Sequence, residues 1–288
     1  MYGFDFAALA PLEKGWSGDR KYRAQGRDGR EYVLRISPAA KREQRARCFA
    51  LMRRVWENGV PMCEPVACGE CGEGVYTLLG WVEGEDAEEA LARMDADAQY
   101  AMGCEAGRIL QKIHAVPAPE DAQPWETRYN RKLERKIAMY RECPVQYEGA
   151  ERFIEYIEEN RRLLADRPQT WQHGDYHVGN MIVGRDGGLF IIDFDRDDFG
   201  DPWEEFNRIV WCAQASPRFA AGMVDGYFGG RAPEEFWRLL ALYIVGNQLS
   251  SVAWAIPYGR EQVDVMLRQA RDVLDWYDGM RRIVPRWY

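Results

Sequence analysis

The stretch that decides the fold reads His173-Gly174-Asp175-Tyr176-His177-Val178-Gly179-Asn180-Met181-Ile182-Val183, then Asp186-Gly187-Gly188, then Leu189-Phe190-Ile191-Ile192-Asp193-Phe194-Asp195. Two short apolar runs on either side of a glycine turn are typical of a β-hairpin. Asp175 and Asn180 precede the first strand, and Asp193 and Asp195 follow the second. The pattern therefore predicts that four oxygen-bearing side chains lie close together.

These residue types suit phosphoryl transfer. A carboxylate accepts the proton of the substrate hydroxyl, while an amide oxygen and a second carboxylate hold Mg²⁺ against the nucleotide phosphates. In protein kinases the metal-binding Asn follows the catalytic Asp by five residues, and another metal-binding Asp comes later in an Asp-Phe pair. Asp175 and Asn180 have this spacing, and Asp193-Phe194 supplies the pair. A polar hairpin with scattered acids is the alternative.

The same motifs resemble those of the aminoglycoside phosphotransferase and choline kinase-like family of small-molecule kinases. His173-Gly174-Asp175 stands where protein kinases have His-Arg-Asp, and Asp193-Phe194-Asp195 stands where they have Asp-Phe-Gly. Gly200-Asp201-Pro202 is similar to the Gly-Asp-Pro segment with which this family begins its next helix. The absence of an Ala-Pro-Glu segment after the Asp-Phe pair argues against the interpretation that the chain is a protein kinase.

The resemblance implies a fold and a set of roles. The fold is α+β and protein kinase-like, with a nucleotide-binding lobe over residues 1–83 and a larger, mainly helical catalytic lobe over residues 84–288. The first lobe is an antiparallel sheet with one helix. Asp175 is the expected catalytic base, and ATP or GTP is the expected phosphate donor. The expected ligands of Mg²⁺ are Asn180, Asp193 and Asp195.

A glycine turn near the start of the chain is a candidate phosphate loop. Gly15, Ser17 and Gly18 precede a predicted strand, and their backbone N–H groups could approach the phosphates. A plain surface loop is the alternative explanation. The expected base-binding segment, similar to the interlobe hinge of the family, contains Trp81 and Val82, whose backbone groups would bond the purine.

Arg35 departs from the family pattern. It stands in the third predicted strand, where the family usually has Lys, and an arginine can also hold phosphate in a bidentate manner. Glu43, in the first turn of a helix predicted from Lys41 to Asn58, is its expected partner. An exposed Glu favoured by the helix dipole is the alternative. The departure keeps a nucleotide-binding pseudokinase open as a second function.

Candidates for acceptor binding come from the second lobe. Asp197 and Asp198 lie nearest in sequence to the expected metal ligands. Trp254 and Tyr258 are candidate walls of an acceptor pocket, with core packing as the alternative. Helices are predicted over residues 97–114, 127–143, 147–166, 233–255 and 261–280.

The charge distribution separates the two lobes. Residues 1–60 carry 13 Lys and Arg against 7 Asp and Glu, a balance of +6, so the rest of the chain carries −14 within the total of −8. A basic first lobe suits nucleotide phosphates, and an acidic second lobe suits a cationic small-molecule alcohol such as an aminoglycoside. Choline, an amino sugar or a macrolide also fits the resemblance, and ordinary solvated surface explains the charges equally well. The acidic total opposes nucleic acid as a partner.

The cysteines and the hydropathy bear on the compartment. Seven cysteines, an odd number, without a signal peptide predict reduced thiols and a cytoplasmic protein. Cys68-Gly69-Glu70-Cys71 has zinc-ligand spacing but lacks a second pair. No uncharged apolar run reaches about 18 residues, so no membrane span is expected. The sequence gives no oligomeric state.

Overall fold

The computed structural model describes residues 5–13, 18–72 and 74–288. The chain divides into two compact units. The first comprises Met1–Ala90 and Asn180–Asp197, and the second comprises Leu91–Gly179 and Asp198–Tyr288. The fold is mixed, with an antiparallel sheet in the first unit and a mainly helical second unit, as the sequence predicts.

The first unit is built on a five-stranded antiparallel sheet in the order β1-β2-β3-β5-β4. Its strands are β1 Phe6–Pro11, β2 Arg20–Gly26, β3 Glu31–Ser37, β4 Pro65–Cys71 and β5 Gly74–Gly80. The helix α1 spans Arg42–Glu57. Alternate residues of β3, such as Leu34 and Ile36, are buried in the sheet's core, while Arg35 points to the other face.

Two of these strands were not predicted. β1 and β4 lie at the two edges of the sheet. β4 reads Pro-Val-Ala-Cys-Gly-Glu-Cys and has one β-branched residue, so its local preference for a strand is weak. It becomes a strand because it pairs with β5.

The predicted hairpin is confirmed. β8 (Met181–Gly184) and β9 (Leu189–Ile191) are antiparallel. Gly187 has φ +82°, a backbone conformation that L-residues rarely adopt, and its N–H donates to the Gly184 carbonyl at 2.9 Å. β6 (Gly84–Asp86) pairs with the outer side of β8. That pairing keeps residues 84–90 with the first unit, so the division falls after the boundary predicted near Gly84.

Helices make up most of the second unit. They are α3 Ala96–Ile113, α4 Trp125–Glu142, α5 Ala150–Asn160, α6 Ile209–Ala215, α7 Pro217–Phe228, α8 Glu234–Ala255 and α9 Arg260–Trp276, and a short α2, Ala87–Leu91, spans the division. Two strands, β7 Thr170–Gln172 and β10 Asp198–Gly200, pair with each other. Turns of 3₁₀ helix cover Arg161–Leu164, Glu204–Arg208 and Ile256–Tyr258, and another covers Val178–Asn180.

The packing of α3 against α7 depends on glycine. A Cβ atom at Gly103 would lie 2.1 Å from the Phe219 carbonyl oxygen, and one at Gly107 would lie 2.2 Å from that of Met223. The two helix backbones therefore approach more closely than side chains would allow. The helices α6 and α7 were not predicted from the sequence, in which no helix was expected between Phe206 and Pro233.

α8 forms the centre of the second unit. Fourteen of its residues are buried, distributed around the helix rather than along one face. The segment Glu234–Tyr258 is long and apolar enough to cross a membrane, and 72% of its most apolar window is buried inside the fold. A buried core helix passes the same test of length and composition.

Candidate active site

Arg35 and two carboxylates form the centre of the candidate site in the first unit. The Arg35 Nη2 atom lies 2.7 Å from Asp193 Oδ1, and its Nη1 atom lies 2.9 Å from Asp195 Oδ1. The Arg35 side chain is 12% exposed. Burial alone would lower the pKa of Arg35, but the charges of Asp193 and Asp195 outweigh it, and the pKa is raised. Arg35 is thus a permanent and mostly buried cation.

The backbone at Asp193 is unusual. Asp193 has φ +65°, in the left-handed region that favours glycine, and its carbonyl accepts the Asp195 N–H at 2.8 Å. Non-glycine residues in this region concentrate at functional sites. Just before it, the Ile192 N–H donates to the Asn180 carbonyl at 3.0 Å. The hairpin therefore holds Asn180 beside the residue that precedes Asp193.

The chemistry of these donors fits Mg²⁺. Asn180, Asp193 and Asp195 offer side-chain oxygen atoms, which a hard cation prefers. Only two of them are acids, and both contact arginine side chains. In such a site the phosphates of a nucleotide supply the remaining ligands.

Asp19, which was not predicted as a site residue, lies beside Arg35 and forms a second group of ion pairs. Its buried carboxylate accepts a hydrogen bond from Lys41 Nζ at 3.0 Å and another from Arg45. Arg45 also donates to Ser37 Oγ at 3.0 Å and pairs with Asp195. Burial would raise the pKa of Asp19, but the hydrogen bond from Lys41 and the charge of Arg45 lower it overall.

The ion pair predicted between Arg35 and Glu43 is wrong for this structure. Glu43 is exposed, and the described carboxylates that contact Arg35 are those of Asp19, Asp193 and Asp195. The buried face of α1 carries Arg45 and Cys48 instead. The Cys48 thiol donates to the Phe194 carbonyl at 3.1 Å, and burial raises its pKa. Helical spacing alone did not reveal which side of α1 faces the sheet.

The candidate nucleotide contacts are only partly described. Gly15 and Ser17 lie outside the described residues, and Gly18 is exposed. Trp81 follows β5, and its N–H donates to the Glu31 carbonyl at 3.0 Å, so that N–H is not free to bond a purine. The Trp81 carbonyl and the backbone of Val82 remain candidates.

Asp175 belongs to the second unit, in a loop that is held by backbone hydrogen bonds. The carboxylate of Glu205 accepts the Gly174 N–H at 3.0 Å and the Tyr176 N–H at 3.4 Å. His173 Nδ1 accepts the Asp175 N–H at 3.2 Å, and His177 Nδ1 accepts the Gly179 N–H at 3.1 Å. Both histidines therefore brace the loop by accepting backbone N–H groups.

The Asp175 carboxylate has a cation beside it. Arg208 Nε lies 3.1 Å from Asp175 Oδ1, as an ion pair rather than an aligned hydrogen bond. His177 Nε2 lies 3.7 Å from the same oxygen. About a fifth of the Asp175 side chain is exposed, at 20%. Asp175 is therefore oriented by its neighbours and still open to a substrate hydroxyl.

Glu205 and Arg208 come from the segment that follows Gly200-Asp201-Pro202. Asp201 accepts the Trp203 N–H at 3.0 Å, but the turn that it begins is 3₁₀ helix, not the expected α-helix. Glu205 is buried against the Asp175 loop. Local pattern could not show this, because the partners of Glu205 lie about 30 residues away along the chain.

The remaining candidates are described by the following contacts. Asp197 is close to the buried Cys48, whose pKa it raises further. Asp198 accepts a hydrogen bond from Arg128 at 2.8 Å. The rings of Trp254 and Tyr258 are exposed and lie 4.9 Å apart.

Comparisons with known proteins agree with this fold. The family model described as the phosphotransferase enzyme family matches residues 8–237. Amicoumacin kinase hAmiN, solved with AMP-PNP, Ca²⁺ and Ami, is similar at 14% identity and a TM-score of 0.69, over 99% of this chain and 92% of that one. A search of curated proteins finds no match.

Two further solved structures extend the likeness. A thermostable mutant of aminoglycoside phosphotransferase APH(4)-Ia, in complex with ADP and hygromycin B, has 17% identity and a TM-score of 0.66, with 95% of each chain covered. A choline/ethanolamine kinase family protein from Mesorhizobium loti has 17% identity and a TM-score of 0.67, over 96% of this chain and 91% of that one. At these identities the likeness establishes the fold.

Proposed function

The chain belongs to the phosphotransferase enzyme family, and on that basis we propose that it is a small-molecule kinase. It transfers the γ-phosphate of ATP or GTP to a hydroxyl group. The observation that carries the proposal is Asp175, a partly exposed carboxylate in a loop fixed by Glu205 and His173. A carboxylate that is held still and open to solvent is suited to accept a proton from an alcohol.

The proposed step is a displacement at phosphorus. The acceptor oxygen bonds to the γ-phosphorus, the bond between that phosphorus and the β,γ-bridging oxygen breaks, and the nucleoside diphosphate leaves with the electron pair. The hydroxyl proton passes to Asp175. Arg35 contributes a fixed positive charge for the phosphates. Mg²⁺, held by Asn180, Asp193 and Asp195, would neutralise phosphate charge.

Acceptor class is a separate question from reaction type. The acidic balance of the second lobe favours an amine-bearing alcohol, and the structure solved with hygromycin B is consistent with it. Choline, amino sugars and macrolides are alternatives within the resemblance. Ammonium groups need carboxylates in the pocket, and a macrolide needs a wide apolar one, so the charges around Asp175 bear on the choice.

A cytoplasmic location belongs to the same proposal. The described residues include all seven cysteines and show no disulfide between them, and thiols persist in a reducing compartment. A nucleotide-binding pseudokinase is the alternative that Arg35 raises. It is opposed by the Asp175 loop and by the carboxylates that hold Arg35 in place.

The direct test is release of ADP or GDP with Mg²⁺ and either ATP or GTP. The acceptors are aminoglycosides, macrolides, choline, amino sugars and hydroxy acids, and Asp175→Asn serves as the blank. Turnover that requires an acceptor and disappears in the blank supports the kinase. Nucleotide binding with no acceptor-dependent turnover in any class would favour the pseudokinase.

A further inference from the structure

A group of basic side chains in the second unit includes one that contacts Asp175. We define the cation cluster as Lys132 and Lys136 of α4 together with Arg208. Lys132 Nζ lies 2.8 Å from Glu204 Oε1. Arg208 is the residue whose Nε is 3.1 Å from Asp175 Oδ1. The cluster thus reaches from the buried face of α4 to the proposed catalytic base.

Lys136 is the unusual member. It is 8% exposed, and its Nζ donates to the Asn247 side-chain oxygen at 3.0 Å. An ammonium group has three N–H donors, and within the described residues this neutral amide is its hydrogen-bond acceptor. Burial, followed by the charge of Lys132, lowers its pKa well below the ordinary value. A buried lysine that is not hydrogen-bonded to a carboxylate is costly, and an anion would stabilise its charged form.

Three basic side chains meet the carboxylates of Glu204 and Asp175 here, although the lobe is acidic overall. Lys132, Lys136 and Arg208 all act on the one buried carboxylate of Glu204, whose pKa their charges lower against the effect of burial. Tyr129 Oη, a buried polar atom near this carboxylate, also lacks a hydrogen-bond partner within the described residues. Unpartnered buried polar groups are candidates for contact with a ligand.

Several acids of α9 and of the residues after it are engaged in pairs of their own. Within α9 and the residues after it, Asp264, Asp272, Asp275 and Asp278 contact Arg260, Gln214, Arg286 and Arg281 respectively. Exposed pairs of this kind are weak and do not exclude a cationic ligand by themselves. The cation cluster repels a cationic ligand, and solvent screens this repulsion less than it screens the exposed pairs, because the cluster is partly buried. The cluster therefore decides between an anionic and a cationic acceptor.

We propose that the acceptor of this kinase is an anionic alcohol, whose carboxylate or phosphate group is bound by Lys136, Lys132 and Arg208 while its hydroxyl faces Asp175. The inference rests on the proposed function and replaces the amine-bearing acceptor that the overall charge suggests. Overall charge is the weaker guide, because the groups nearest the reacting hydroxyl determine which ligand is stabilised there.

Ion exchange of a metabolite extract tests the charge of the acceptor even before the acceptor is identified. Anionic, neutral and cationic fractions are each incubated with the protein, Mg²⁺ and ATP labelled at the γ-phosphate. Labelled small-molecule product is expected from the anionic fraction. Product from only the neutral or cationic fraction would overturn the inference and leave the kinase standing, whereas product from no fraction would overturn both. Phosphatase treatment of the fraction beforehand distinguishes phosphorylated acceptors from hydroxy acids.

Lys136→Met, which keeps side-chain length and removes the charge, tests the binding role. The KM for the acceptor should rise about 10-fold or more, while the KM for ATP changes less than about twofold. Arg131→Met, at an exposed position of the same helix, is the matched control and should leave both unchanged. Lys132→Met repeats the test at a partly exposed position if the first variant does not fold. An unchanged acceptor KM in a folded variant would show that the cluster is only structural.

Discussion

The side chain of Arg35 bridges Asp193 and Asp195, with Nη2 2.7 Å from the first carboxylate and Nη1 2.9 Å from the second. One residue of β3 thereby joins both acids that the sequence assigns to the metal. A lysine is a single point charge on a flexible stem, so it could not hold both carboxylates in a fixed geometry. The arginine that departs from the family pattern is consistent with an intact site.

Arg35→Lys keeps the positive charge and removes the forked guanidinium group, whose two Nη atoms contact Asp193 and Asp195. We expect kcat/KM for the nucleotide to fall about 10-fold or more, since a charge-assisted hydrogen bond contributes about 1.5–3 kcal/mol. Steady-state kinetics with varied ATP measure this. Arg30→Lys, whose exposed side chain pairs with Glu64, is the control. Equal kcat/KM in the variant and the wild type would show that the fork has no role in turnover.

Asp175→Asn removes the proposed base and keeps the shape of the side chain. We expect the turnover number to fall about 10²-fold or more with little change in nucleotide affinity, because the proton acceptor acts on the reacting hydroxyl. Single-turnover rates and calorimetric nucleotide binding separate the two effects. Full turnover in this variant would remove Asp175 from the mechanism.

Glu205 is a positioning residue, because its carboxylate contacts the loop rather than the substrate. Glu205→Ala frees the Gly174 and Tyr176 N–H groups, so we expect kcat to fall about 10-fold or more while the KM for ATP stays nearly constant. Glu205→Gln retains one acceptor oxygen and should recover part of the loss. A variant that loses stability but keeps kcat would assign Glu205 to the fold alone.

The sequence indicated candidate residues more readily than the partners that the structure gives them. The hairpin is a local feature, so pattern was enough to predict it, and the roles of Asp175, Asn180 and Asp193 stay predictions. Arg45 and Asp195 are 150 residues apart in the chain, and nothing in the pattern near either residue indicates the pair. Arg208 was missed for the same reason. Long-range ion pairs depend on which faces pack together, and periodicity does not fix that.

A count of charges has a related weakness. The count of acids in residues 61–288 favours a cationic acceptor, which stays a prediction, but it weights exposed α9 acids such as Asp264 equally with buried groups such as Lys136. Burial and position decide how much each charge contributes. The structure places Arg208 beside Asp175, and the count could not show this.

Asp19 gives a prediction about stability and pH. Its carboxylate is buried between Lys41 and Arg45, and removal of one member of a buried pair costs about 3–5 kcal/mol. We therefore expect Asp19→Asn to lower the free energy of unfolding by about this amount near neutral pH. Glu70→Gln breaks an exposed pair with Arg42 and should change it by less than about 1 kcal/mol.

The pH dependence follows from the lowered pKa of Asp19. Because the folded carboxyl has a pKa below the ordinary value of 3.8, its contribution is complete above 3.8 and is lost as the pH falls through the folded value. The difference between wild type and Asp19→Asn in denaturant unfolding should stay constant toward neutral pH and shrink in acid below 3.8. The difference between wild type and Glu70→Gln should remain small throughout. A gap that persists undiminished into strong acid would mean that the Asp19→Asn substitution disrupts packing and that charge pairing at Asp19 contributes little.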